Sequence, residues 1–185
     1  MRRVPPPAAP SGPILTLRRS TVVSEDEDLQ EAWNIRWATR ADYPGLADVM
    51  FDAVRNGPSR YSERQRERWV PRPRDGADWA ERLDRQLIIL AEAPGRVLGF
   101  MSLAPAGYVD FAYIRPSARG SGLFRQLYAE IEDRARASGE ERLWVHASLM
   151  AEPAFAAMGF RVIEREEVSI GDETFARARM EKHLS

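Results

Sequence analysis

Tyr113-Ile114-Arg115-Pro116-Ser117-Ala118-Arg119-Gly120-Ser121-Gly122-Leu123-Phe124 is the stretch whose reading decides the fold. An apolar strand ends at a proline, turns through a basic loop with two glycines, and runs directly into an amphipathic helix. Glycines one residue apart let the backbone approach a ligand closely, and successive N–H groups can then converge on it. The helix that follows, Leu123 to about Ala137, points the positive end of its dipole at the same place. Arg119 adds a full charge. The combination suits a phosphate or pyrophosphate, and so a cofactor that carries a nucleotide.

Working outward, the helix repeats Leu123, Leu127, Ile131 and Ala135 at intervals of four and stops at Ser138-Gly139. On the upstream side, Tyr108 to Ile114 reads as the strand that feeds the loop. Before it, Leu87-Ile88-Ile89-Leu90-Ala91 and Val97 to Leu103 flank Pro94-Gly95 and read as a hairpin. Asn34 to Ala38 alternates as a half-buried strand, and Thr39 with Asp42 resembles a capping box opening a helix over Leu46, Val49, Met50, Ala53 and Val54. Ser62 to Trp69 and Asp78 to Gln86 read as two shorter helical pieces. Downstream, Leu143 to Ala147 is a strand, Glu152 to Met158 a short helix, and Phe160 to Ile170 with Thr174 to Leu184 a terminal hairpin. The order β-α-α-β-β-β-α-β-α-β-β predicts an α/β protein built on one mixed sheet with helices on both faces.

Composition narrows the chemistry. The 185 residues, 44% hydrophobic, suffice for one domain with a core and a modest extension. A net charge of −1 supplies no field that favours nucleic acid or an anionic membrane. The chain has no cysteine and only two histidines, His146 and His183, which excludes disulfides, thiolate nucleophiles and a cysteine or multi-histidine metal site. No run approaches the ~18 apolar residues of a membrane helix. A soluble, cytoplasmic protein is the expectation, with no metal. Residues 1–31, rich in proline, serine and charge, read as a tail, and residues 32–185 as the folded domain.

Arg119-Gly120-Ser121-Gly122 after the fourth strand, together with Ala156-Ala157-Met158-Gly159-Phe160 before the terminal hairpin, resembles the GNAT superfamily of acyl-CoA-dependent N-acyltransferases. The resemblance covers roughly Asn34 to Leu184. The signature Arg/Gln-x-x-Gly-x-Gly/Ala is matched by Arg119 and Gly122, with Phe124 in place of the final small residue. Asp110-Phe111-Ala112-Tyr113-Ile114-x-Pro and Ala147-Ser148-x-x-Ala151 look like a subgroup of small bacterial GNAT proteins whose substrates are often unassigned.

The resemblance implies a mixed, mostly antiparallel sheet and acetyl-CoA as acyl donor. It implies that backbone amides over Arg119, Gly120, Ser121, Gly122 and Leu123 hold the CoA pyrophosphate. The pantetheine arm would lie between the fourth and fifth strands against the backbone of Ala112 and Ile114. The acceptor would be an amine of a small molecule or peptide, attacking directly in a ternary complex, and a homodimer is left open. Many members carry a tyrosine as general acid where this chain has Phe155, and a phenyl ring donates no proton. A CoA-binding sensor without turnover is therefore the alternative. A Rossmann or P-loop protein fits less well, since the loop lacks a Lys-Ser/Thr ending and no regular βαβ series surrounds it.

Attack by an amine needs that amine neutral, while a free alkylammonium has a pKa of about 10, so a base or water relay is expected. Asp110, two residues before Ala112 and on the same face of a regular strand, reads either as base or ammonium anchor, or as a strand-end carboxylate paired with an arginine. His146, on the fifth strand beside the gap, reads as a proton acceptor or as a partly buried structural histidine. Ser148 either bonds cofactor or caps the next helix. Tyr61, Trp69 and Trp79 fall where GNAT proteins build the acceptor pocket and could clasp an amine by cation–π contact or simply pack the helices. Tyr113 and Tyr128 read as core.

Overall fold

The computed structural model describes residues 33–184; the tail expected over residues 1–31 lies outside them. Among the described residues, seven strands and five α-helices follow the expected order, with three helices between the first and second strands where that order has two. β1 is Asn34–Trp37, α1 Tyr43–Arg55, α2 Glu63–Trp69 and α3 Gly76–Asp84. β2 (Leu87–Ala93) and β3 (Arg96–Leu103) form the hairpin, β4 is Ala112–Ile114, and α4 (Leu123–Ala137) follows the glycine loop. β5 (Arg142–Ser148), α5 (Glu152–Ala157), β6 (Arg161–Ile170) and β7 (Glu173–His183) complete the chain. The capping pair before α1 forms: the Thr39 N–H and hydroxyl both donate to the Asp42 carboxylate, over a short 3₁₀ turn at Arg40–Asp42.

The expected mixed, mostly antiparallel sheet is divided into two antiparallel parts, ordered β1-β2-β3-β4 and β5-β7-β6. They touch through one parallel bridge, Tyr108 to Trp144, with the Val109 N–H donating to the Trp144 carbonyl at 2.9 Å. Gly107 makes this junction possible. At φ 71° it presses against β5, and a Cβ there would lie 2.1 Å from the Arg142 carbonyl oxygen.

Helices cover both faces, as expected. On one face α1 and α3 bury Leu46, Val49, Met50 and Leu83 against Ile88, Leu90, Phe100 and Phe111. On the other, Leu123, Leu127 and Ile131 of α4 pack on Ile89, Met101, Leu143 and Val145. Burying each of these aliphatic side chains contributes roughly 1.5–3 kcal/mol, so the four-residue repeat of α4 holds the two sheets together. The Glu140 N–H returns to the Ala135 carbonyl and ends that helix.

The strand expected over Tyr108–Ile114 is regular only from Ala112. Ser102, fully buried on β3, explains the break. Its N–H donates to the Phe111 carbonyl, but the Phe111 N–H is captured by the Ser102 hydroxyl at 3.0 Å. Alternation fails there, and Asp110 and Phe111 both turn toward α3.

Candidate functional site

Beyond the Tyr108–Trp144 bridge, β4 continues along β3 and β5 along β7, so the two strands part. In the β3–β4 ladder the Ser102 N–H meets Phe111 and the Arg115 N–H meets Leu98. Residues 111, 113 and 115 therefore bond toward β3, and the N–H and C=O groups of Ala112 and Ile114 face the opening. A groove of about 410 Å³ fills this space and reaches both faces of the sheet. Ala118, Gly120, Gly122, Leu123 and Phe124 line it on the α4 side with Ala151, Ala154 and Met158; Ala53, Val54, Tyr61 and Trp69 line it on the other.

The loop at the mouth has the shape expected of it. Gly120 (φ 79°) and Gly122 (φ 85°) occupy the left-handed region, and a Cβ on either would meet nothing within 4 Å, so the requirement is conformational and the surface is open. The first N–H groups of α4 have no carbonyl one turn back and point outward at its N-terminus. Ser121 closes the loop by donating to the Ala118 carbonyl at 2.7 Å. Arg119 is turned differently from the sequence reading. Its guanidinium donates to the Ala53 carbonyl at 2.9 Å and the Pro58 carbonyl at 3.4 Å, tying the loop to the end of α1. Arg125, in the first turn of α4, lines the groove as an exposed cation. Sequence reading missed it, although its position two residues into the helix was the available signal.

On the opposite wall the chain forms an aromatic cluster. Tyr61 meets Trp69 edge-on at 5.8 Å, Trp69 stands 6.5 Å from Tyr113, and Phe175 closes the group at 5.4 Å from Tyr61. The Tyr61 hydroxyl donates to the Ala176 carbonyl and accepts from the Leu149 N–H. Tyr113, read from the sequence as core, lines the groove, and burial raises its phenol well above the ordinary range. Trp79 is placed elsewhere: it is buried against Phe111 and donates to the Tyr43 carbonyl.

Asp110 does not line the groove. Arg82 grips its carboxylate with two bonds of 3.0 and 2.7 Å, and the Gln86 amide adds a third at 2.7 Å. The arginine-paired reading describes it. His146 projects from the same face of β5 as Ser148, about 7 Å farther back along the strand, among Tyr108, Trp144 and Glu166. Burial, and then the charge of Arg177, lowers its pKa from the ordinary histidine value. Tyr108 stacks on Trp144 at 4.2 Å, and burial followed by the Asp110 charge pushes its phenol up to about 12. Ser148 lines the groove and also caps the following turn through the Ala151 N–H at 3.2 Å.

Phe155 is fully buried between Phe124 (5.3 Å) and Phe160 (5.1 Å) and turns away from the groove. The ring of Phe124 is accommodated by that contact. Among the described residues, the groove lining holds no carboxylate and no imidazole; its hydroxyls are Ser59, Tyr61, Tyr113 and Ser148. The arrangement fits a ligand with an anion at the loop and an extended polar chain laid along β4.

A family model described as an acetyltransferase (GNAT) domain matches residues 58–182. An L-methionine sulfoximine/L-methionine sulfone acetyltransferase of Pseudomonas aeruginosa is 31% identical over 119 residues; the match covers 57% of this chain and 65% of that protein's length. A crystal structure from Rhodopseudomonas palustris, a GCN5-related N-acetyltransferase, superposes with a TM-score of 0.74 at 31% identity, covering 82% of this chain and 95% of the other. A phosphinothricin acetyltransferase from Sinorhizobium meliloti, in complex with acetyl-CoA, shares the fold at a TM-score of 0.63 and 21% identity, over 83% and 89% of the two chains.

Proposed function

The chain belongs to the GNAT acetyltransferase family, and from that premise we propose that it moves an acetyl group from acetyl-CoA to the amine of a small acceptor by direct attack in a ternary complex. The observation that carries this reading is the opening between β4 and β5. It presents the backbone groups of Ala112 and Ile114 to one continuous groove, with the glycine loop at one end and the aromatic wall across it.

The residues present fit the cofactor. Gly120, Gly122, the first N–H groups of α4 and Arg125 would hold the pyrophosphate, and Ala112 with Ile114 the pantetheine arm. Acetyl-CoA supplies an activated carbonyl and a thiolate leaving group. His146, reached through water past Ser148, serves as proton acceptor in preference to Asp110, whose carboxylate is committed to Arg82. Tyr113, protonated at neutral pH, donates toward the departing sulfur in the role that Phe155 cannot fill. Tyr61 and Trp69 receive the body of the acceptor. The same reading takes residues 32–185 as the catalytic domain, working in the cytoplasm.

Acceptor identity is approached through the Pseudomonas relative, which makes L-methionine sulfone a first compound to test. Calorimetry with acetyl-CoA, then thiol release across a panel of amines, tests the proposal. Binding with release supports it. Binding with no release from any amine favours an acyl-CoA sensor, and absence of binding overturns both.

A further inference from the structure

Three strands of the second sheet place a charged row beside His146. Glu166 on β6 stands directly opposite Arg177 on β7, and Arg177 stands opposite Ser148 on β5. One oxygen of Glu166, Oε1, lies 3.1 Å from Arg177 Nε and 3.3 Å from His146 Nε2. All three side chains are largely shielded, with 30%, 28% and 25% of their surface exposed. The ring is further bounded by Tyr108 and Trp144, edge-on at 5.9 and 5.4 Å. One carboxylate oxygen is thereby shared between a fixed cation and the ring.

We propose that Glu166 is a positioning residue for His146: it holds the proton of the neutral imidazole on Nε2 and so leaves Nδ1 as the basic atom, with Arg177 fixing the carboxylate. This rests on the reading of His146 as proton acceptor. In that role the amine proton passes through water to Nδ1, the imidazolium carries two N–H groups, and the Glu166 carboxylate faces the charge that has formed. The charged groups around the ring are Glu166 and Asp110, which favour its cation, and Arg177 and Arg179, which oppose it. Glu166→Gln removes the nearest favourable charge but keeps an amide oxygen that can accept, whereas Glu166→Leu removes the charge and the acceptor for Nε2–H together.

The chain has two histidines, so in a His183→Gln background the ring nitrogens of His146 can be assigned by long-range ¹⁵N–¹H correlation spectroscopy. The expected result at pH 7.5 is a single Nε2–H tautomer that becomes a mixture in Glu166→Leu. This readout needs no acceptor. In thiol-release assays with L-methionine sulfone, Glu166→Gln lowers kcat about 10-fold, leaves the acetyl-CoA Kd and the amine KM within about twofold, and moves the acidic limb of the pH profile downward. His146→Asn removes that limb, and adding Glu166→Gln to it costs nothing further. An unchanged tautomer in Glu166→Leu overturns the proposal, as does a Glu166→Gln loss that adds fully to that of His146→Asn. If His146→Asn keeps both kcat and the limb, the base assignment is what fails, whatever the tautomer shows.

Discussion

The Tyr61 hydroxyl donates to the Ala176 carbonyl at 2.6 Å, across 115 positions of the chain. Because it also accepts from the Leu149 N–H at 3.0 Å, one oxygen joins the segment entering α2 to both β7 and the end of β5. The aromatic wall is thus anchored to the second sheet, not merely packed on it. Tyr61→Phe keeps the ring contacts but leaves a shielded N–H and C=O without this partner. Thermal or urea unfolding should show a loss of about 1–3 kcal/mol, and the amine KM should rise more than the acetyl-CoA Kd.

The left-handed backbone at Gly122 gives a sharper test of the loop. With no neighbour within 4 Å of the place a methyl would take, Gly122→Ala has room but not the dihedral angle. A cost of roughly 1–2 kcal/mol is expected for holding φ positive, and if the loop relaxes instead, its N–H groups diverge. Calorimetry should record an acetyl-CoA affinity lower by about 10-fold. Retention of full affinity would show that the loop does not bind the pyrophosphate.

Ser102→Ala isolates the irregularity that turns Asp110 toward Arg82. The substitution is nearly isosteric, yet it removes the acceptor of a buried Phe111 N–H. Urea denaturation should report about 1–3 kcal/mol of destabilisation.

Acid sensitivity follows from the one lysine of the chain. Lys182 Nζ lies 2.5 Å from Glu132 and 3.1 Å from the Tyr128 hydroxyl. Burial pushes the Glu132 pKa up, but hydrogen bonds from Lys182, Tyr128 and Arg136 outweigh it and lower the group to about 2. A carboxylate depressed on folding stabilises above its unfolded value, near 4.5, and that stability drains as pH falls toward 2. The contribution is about 3 kcal/mol. Lys182→Met should therefore be less stable than the parent at pH 7, with the gap narrowing in urea melts between pH 4.5 and 2.

For His146, burial and neighbouring arginines favour the neutral ring. Arg179→Gln removes one opposing charge, so the His146 titration followed by proton NMR should move to higher pH. A midpoint that stays put or falls would contradict this electrostatic account.

The local elements were legible because their signals are local: intervals of four in α4, Pro94-Gly95 between two apolar runs, and Thr39 with Asp42 before α1. The course of β4 was not, since whether a strand alternates regularly at Asp110 depends on a serine hydroxyl on another strand, that of Ser102. Asp110 and Trp79 looked like site residues in sequence because residue type and neighbourhood suited them; the ion pair with Arg82 of α3 and the packing of Trp79 on Phe111 placed them elsewhere. Tyr113 and Arg125 went the other way, and their exposure to the groove depends on where two sheets separate.

By itself the sequence determined the order of elements, the glycine loop at a helix N-terminus and the absence of cysteine chemistry. Each follows from dihedral preference, hydrophobic period or residue type, which the chain carries locally. Only the tertiary structure decided that the sheet divides between β4 and β5, that Arg119 braces the loop through α1, and that His146 faces Glu166. Those outcomes depend on which backbone groups find partners across long stretches of chain, and that is settled only when the strands pair.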